Sequence, residues 1–89
     1  MDEEKKYKEI VDDFYDTYRP LQRRYSLRYH CSFDIFGNNM IEIWKYSGEK
    51  KVKRILKVEE DTSAECYIKA TEILRGYREE QEKHEKRAG

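Results

Sequence analysis

The sequence predicts a single α+β domain: a helix, a three-stranded antiparallel sheet (a meander) and a second helix, in the order α-β-β-β-α. Three observations carry that prediction. An apolar stripe of helical period fills residues 3–19. Strict alternation follows over residues 25–35. A capping sequence, Thr62-Ser63-Ala64-Glu65, opens a second helical stripe. The periods of 3.6 and 2 are the signatures of helix and strand.

In the first segment Tyr7, Ile10, Val11, Phe14, Tyr15 and Tyr18 recur at the spacing of one helix face. Asp2, Glu3 and Glu4 stand near its start, where the helix dipole favours anions. Pro20 is expected to end it, because the residue before a proline is pushed out of the α region.

From 25 to 35, Tyr25, Leu27, Tyr29, Cys31, Phe33 and Ile35 point one way and the polar residues between them the other. That is a half-buried strand. Gly37-Asn38-Asn39 reads as a turn. A three-residue turn there pairs Phe36 with Met40, Ile35 with Ile41 and Phe33 with Ile43, keeping apolar residues on one face. The second strand is then about 40–46. A turn at Ser47-Gly48 sets Ile43 opposite Val52 and opens a third strand of about 49–58, rich in lysine as an edge strand should be.

Thr62-x-x-Glu65 is a capping box. The stripe after it comprises Ala64, Tyr67, Ile68, Thr71 and Leu74, widened by Cys66, Ala70, Ile73 and Tyr77. No stripe continues past Tyr77. Residues 1–78 are therefore the α+β domain, and 79–89 a charged, solvated helical tail.

Composition narrows the function classes. The chain has 89 residues, 43% of them charged, with a formal net charge of +0. The charge is unevenly spread. Residues 2–16 carry seven acidic groups against three lysines, and residues 45–57 carry six basic groups against Glu49 alone. Cys31 and Cys66 are the only cysteines, without ligand or redox spacing, and are expected to be reduced and to face the core. No membrane-spanning run or leader pattern occurs, so the chain is expected in the cytoplasm of its host cell, with no membrane partner. His30 and Cys31 are adjacent, but neighbours on a strand point to opposite faces and cannot act as nucleophile and base. The glycines are isolated, so no phosphate loop forms. No catalytic residue, metal site or cofactor is expected.

The predicted register sends Leu27, Tyr29, Cys31, Phe33, Ile35, Ile41, Ile43, Val52 and Leu56 to the helix side. The opposite face then carries Arg28, His30, Phe36, Met40, Glu42, Trp44, Tyr46, Lys51, Lys53, Ile55 and Lys57. Either one helix covers each face, or both helices lie on one side and leave the second set open. An exposed aromatic patch with a charged rim marks an interaction site. The candidate binding residues are Trp44, Tyr46, Phe36, Met40, Ile55, Arg28, Lys51, Lys53 and Lys57.

The element order resembles that of double-stranded-RNA-binding domains over most of the chain. That family has a lysine cluster at the start of its second helix and a Pro-His element in its first hairpin loop. Here those places hold Glu59-Glu60-Asp61-Thr62-Ser63 and Gly37-Asn38-Asn39, so the RNA-binding function is expected to be absent. In general character, small, charge-dense and motif-free, the chain is similar to accessory and inhibitor proteins of bacteriophages and mobile elements, including anti-CRISPR proteins. The expected function is that of a non-enzymatic domain that binds a host protein, such as a nucleic-acid-handling enzyme, with homodimerisation as the other use to which the open face could be put. The alternative is a nucleic-acid-binding domain using the basic, aromatic second hairpin, with Lys50, Lys51, Lys53, Arg54 and Lys57 on phosphates.

Overall fold

The computed structural model describes residues 2–88, and the side chains of residues 6–86. Helix α1 spans Asp2–Tyr25, strands β1, β2 and β3 span Leu27–Phe33, Asn39–Ser47 and Lys50–Glu60, and helix α2 spans Ser63–Ala88. The sheet is antiparallel throughout, in the order β1-β2-β3. This is the expected α-β-β-β-α meander. The side chains of Asp2, Glu3 and Glu4, and Gly89 of the tail, lie outside the described residues.

Both helices pack on one side of the sheet. Phe14, Tyr18 and Leu21 of α1 meet Leu27, Ile41, Ile43, Leu56 and Val58 of the sheet and Cys66, Tyr67, Ala70 and Leu74 of α2 in one buried cluster. Phe14 stands at its centre, stacked on Tyr18 and edge-on to Tyr15, Tyr29 and Tyr67. Burial pushes the Tyr18 and Tyr67 phenols each up to about 12, because ionisation would strand a charge among these rings.

Helix α1 does not stop at Pro20. It runs through the proline to Tyr25. The reason lies beyond the proline: Leu21 is 3% exposed, and Tyr25 packs edge-on against Tyr77. Burying those two side chains outweighs one missing backbone hydrogen bond. The reversal comes instead at Ser26, whose φ of 57° is the left-handed conformation that ends many helices.

The first hairpin differs from the predicted one. Phe33 pairs with Asn39 and Cys31 with Ile41, so the loop is Asp34–Asn38 rather than Gly37–Asn39. Asp34 builds it: its carboxylate accepts hydrogen bonds from the Phe36 and Asn38 amides and from Asn38 Nδ2. The pairing of Phe36 with Met40 and of Ile35 with Ile41 is therefore not made, and Ile35 and Phe36 are loop residues, 92% and 81% exposed. The shift keeps the parity of the register, so the β1 and β2 side chains keep their predicted faces.

The second hairpin turns at Gly48-Glu49, with Ser47 opposite Lys50. Its register slips twice, between Ile43 and Trp44 and between Lys45 and Tyr46. Each slip is a β-bulge that inserts one unpaired residue into β3, first Ile55 and then Val52. Ile43 thus lies opposite Leu56, not Val52, and Val52 is exposed. On α2, the Thr62 hydroxyl accepts from the Glu65 amide, the expected cap. Cys66, Tyr67, Ala70, Thr71 and Leu74 are buried, whereas Ile68 and Ile73 of the predicted stripe are exposed. The distal part of α2 is tied back to α1, since Glu85 pairs with Arg24 and accepts from the Tyr25 hydroxyl at 2.8 Å.

Candidate interaction face

With both helices on one side, the other face of the sheet is covered by no described element. The β1–β2 register places Arg28 beside Trp44, His30 beside Glu42 and Ser32 beside Met40 on that face. The β2–β3 register adds Lys51 beside Tyr46, Arg54 beside Trp44 and Lys57 beside Glu42. Trp44, Tyr46 and Met40 form an aligned row along β2, each half-buried.

Two of the three carry a cation over the ring. Lys51 Nζ lies 4.9 Å from the centre of the Trp44 ring, and the Arg28 guanidinium 4.5 Å from that of Tyr46. Arg28 also donates to the Gly48 carbonyl, and His30 Nε2 lies 3.2 Å from the Tyr46 hydroxyl. Such contacts at exposed sites are worth about 0.5–1 kcal/mol each, so they are easily exchanged for better ones. The indole N–H of Trp44 is buried and has no hydrogen-bond partner among the described residues. An unmet buried donor costs about 1–3 kcal/mol. The cations Arg28, Lys51, Arg54 and Lys57 outnumber the carboxylates Glu42 and Glu59. Glu42 lies 4.0 Å from Arg54, and Glu59 lies 3.3 Å from Lys57.

Of the nine candidate residues, the structure brings six onto this face: Trp44, Tyr46, Met40, Arg28, Lys51 and Lys57. Three are placed elsewhere. Phe36 is in the Asp34 loop. Ile55, the residue inserted by the first bulge, packs toward the core beside Tyr77. Lys53 lies opposite Lys45 and lines a groove of about 420 Å³ against Ile73 and Gly76 of α2. The bulges turn these two side chains around. Arg54, expected only as a nucleic-acid contact, pairs with Glu42 across the open face as a further consequence of the first bulge.

Cys66 is buried, and its burial pushes the thiol pKa up. Cys31, expected in the core, is exposed. It points to the helix side, but on the outer strand of the sheet and beyond the helices' cover. A second depression, of about 450 Å³, lies between the Gly37–Asn39 loop and Glu59–Asp61. Among the described residues no group of three or more His, Cys, Asp or Glu side chains is placed to hold a metal ion, and no helix is long and apolar enough to cross a membrane. Where double-stranded-RNA-binding domains carry their lysine cluster, Glu60 pairs with Lys69, and the Asp61 carbonyl accepts from Asn39. Comparison of the chain with protein-family models, curated proteins and solved structures found no match.

Proposed function

We propose that this chain is a non-enzymatic interaction domain that docks a partner protein on the open sheet face. One observation carries the reading. Trp44, Tyr46 and Met40 stand in a row on a face that no described element covers, with only Lys51 and Arg28 laid across the rings. Aromatic side chains beside arginine dominate the energy of protein interfaces. The excess of cations on the rim selects a partner with an acidic border around an apolar centre. The Trp44 N–H has no hydrogen-bond partner among the described residues, and a carbonyl of the docked protein would supply one. A small inhibitor or accessory protein of a phage or mobile element, acting on a host protein, is the biological setting that we propose.

The nucleic-acid reading is weaker because the bulges divide the basic hairpin between the two faces, with Lys51, Arg54 and Lys57 on one and Lys53 on the other.

The test is capture of host protein on the immobilised chain, with and without nuclease, for the wild type and Trp44→Ala. A protein retained after nuclease and lost with the folded variant supports the reading. Equal retention by the variant overturns it. Steeply salt-dependent affinity for a generic duplex would favour the nucleic-acid function instead.

A further inference from the structure

The sheet has two outer strands, and they are built differently. β3 carries Lys50, Lys51, Lys53, Arg54 and Lys57 and is interrupted by two bulges. Those are the devices by which proteins prevent edge-to-edge pairing. β1, Leu-Arg-Tyr-His-Cys-Ser-Phe, has no lysine and no proline, and its register with β2 is unbroken.

The backbone of β1 shows which groups are free. The Tyr46 amide donates to the Ser26 carbonyl at 2.9 Å. In an antiparallel ladder the residues that bond one neighbour alternate with those that face away. Arg28, His30 and Ser32 therefore bond β2, and Leu27, Tyr29, Cys31 and Phe33 direct their N–H and C=O groups outward. The Tyr18 hydroxyl donates to the Leu27 carbonyl at 3.2 Å, and its oxygen sits beside the Tyr29 amide. That closes one end of the edge. The Tyr29 carbonyl, both Cys31 groups and the Phe33 amide have no backbone partner among the described residues.

The side chains flanking this free segment are apolar and incompletely covered. Phe33 is 38% exposed, Tyr7 39%, and Cys31 is exposed. Along α1, Tyr7, Val11 and Tyr15 form an i, i+4 row above the edge. Tyr15 touches Tyr29, and Tyr7 and Phe33 both touch Tyr67.

We infer that the β1 edge is a homodimer interface, in which a second copy of this chain adds its own β1 antiparallel across a two-fold axis at Cys31. That register is self-complementary. Tyr29 falls opposite the second copy's Phe33, matching two partly exposed rings on the helix side. Arg28 falls opposite the second copy's Asp34 on the other side, matching a cation with an anion. The Cys31 groups bond each other, each Phe33 amide bonds the Tyr29 carbonyl across the axis, and each Phe33 carbonyl takes the place of the Tyr18 hydroxyl at the Tyr29 amide, leaving that hydroxyl on the Leu27 carbonyl. The result is a continuous six-stranded sheet with two open faces side by side. The inference stands on the β1 edge; it shares only Arg28 with the open face, and Trp44→Ala separates the two.

Sedimentation equilibrium of the reduced full chain over a range of concentrations tests it, with Cys31→Lys and Trp44→Ala in parallel. Cys31→Lys sets two ammonium groups against each other across the axis. A monomer–dimer equilibrium weakened at least tenfold by Cys31→Lys and unchanged by Trp44→Ala is the expected result. A short bismaleimide should join two wild-type chains through Cys31, since Cys66 is buried, and should leave Cys31→Ser unjoined. This readout needs no destabilising variant. A chain that remains monomeric up to about 1 mM, the weak end of specific association, overturns the inference. So does a dimer that survives Cys31→Lys, or one that Trp44→Ala dissolves.

Discussion

Replacing Pro20 by alanine should stabilise this protein, which is unusual for a single substitution. Pro20 is exposed and lies inside α1, five residues before its end. It has no N–H to give the Asp16 carbonyl, and its ring crowds the preceding turn. A proline in a helix interior is about 3 kcal/mol less favourable than alanine. That difference already includes proline's stiffening of the unfolded chain, so the gain for Pro20→Ala is about 3 kcal/mol, because the ring is exposed. In a domain of this size about 4–8 °C of midpoint shift accompanies each kcal/mol, so thermal unfolding by circular dichroism should move up by about 12–24 °C. An unchanged or lowered midpoint would show that the chain leaves the helix at Arg19, and that Leu21 and Tyr25 reach their places by another path.

Gly76→Ala should also stabilise, by about 1 kcal/mol in denaturant titration. A Cβ there meets nothing within 4 Å, and the helix continues on both sides. Asp34→Ala should loosen the first hairpin in a pH-dependent way. Hydrogen bonds from Asn38 and Phe36 hold the Asp34 carboxyl below its usual 3.8, so its contribution is present above pH 3.8 and is lost as pH falls through the lower folded value. The stability gap between wild type and variant should be full at neutral pH and close in acid. A gap that persists there would contradict the carboxylate's role. The tyrosines act in the opposite direction. Tyr18 and Tyr67 are raised from 10.0 to about 12, so the stability each lends is full below pH 10 and is lost as pH rises toward 12. Alkaline unfolding in that window, shifted by Tyr18→Phe, is the expected observation.

The fold was legible wherever periodicity was unbroken. Leu27, Ile41 and Ile43 were placed in the core by alternation alone, and Phe14 and Tyr18 by helical spacing. Periodicity misleads where a local device competes with it. At Pro20 the rule for the preceding residue outvoted the stripe, although Tyr18, Leu21 and Tyr25 continue it at helical spacing across the proline. At Asp34 a side-chain-built loop replaced the glycine turn, yet the shift preserved parity, which is why the face of Trp44 and Tyr46 was assigned correctly. At Ile55 and Val52 the bulges inverted side chains. Their only trace in the sequence is the irregular period of β3. Cys31 shows a different limit, since alternation tells which face a residue is on but not how far the helices extend over it.

The central claim is that the Trp44–Tyr46 row is the docking surface, and Trp44 reports on it directly as the only tryptophan in the chain. The decisive measurement is the emission and acrylamide quenching of Trp44 in the free chain and with a captured partner protein made free of tryptophan. Docking on this face predicts a blue shift and a fall in quenching, because the indole passes from a half-buried site under Lys51 into a dry interface. Binding that leaves both emission and quenching unchanged would contradict the account.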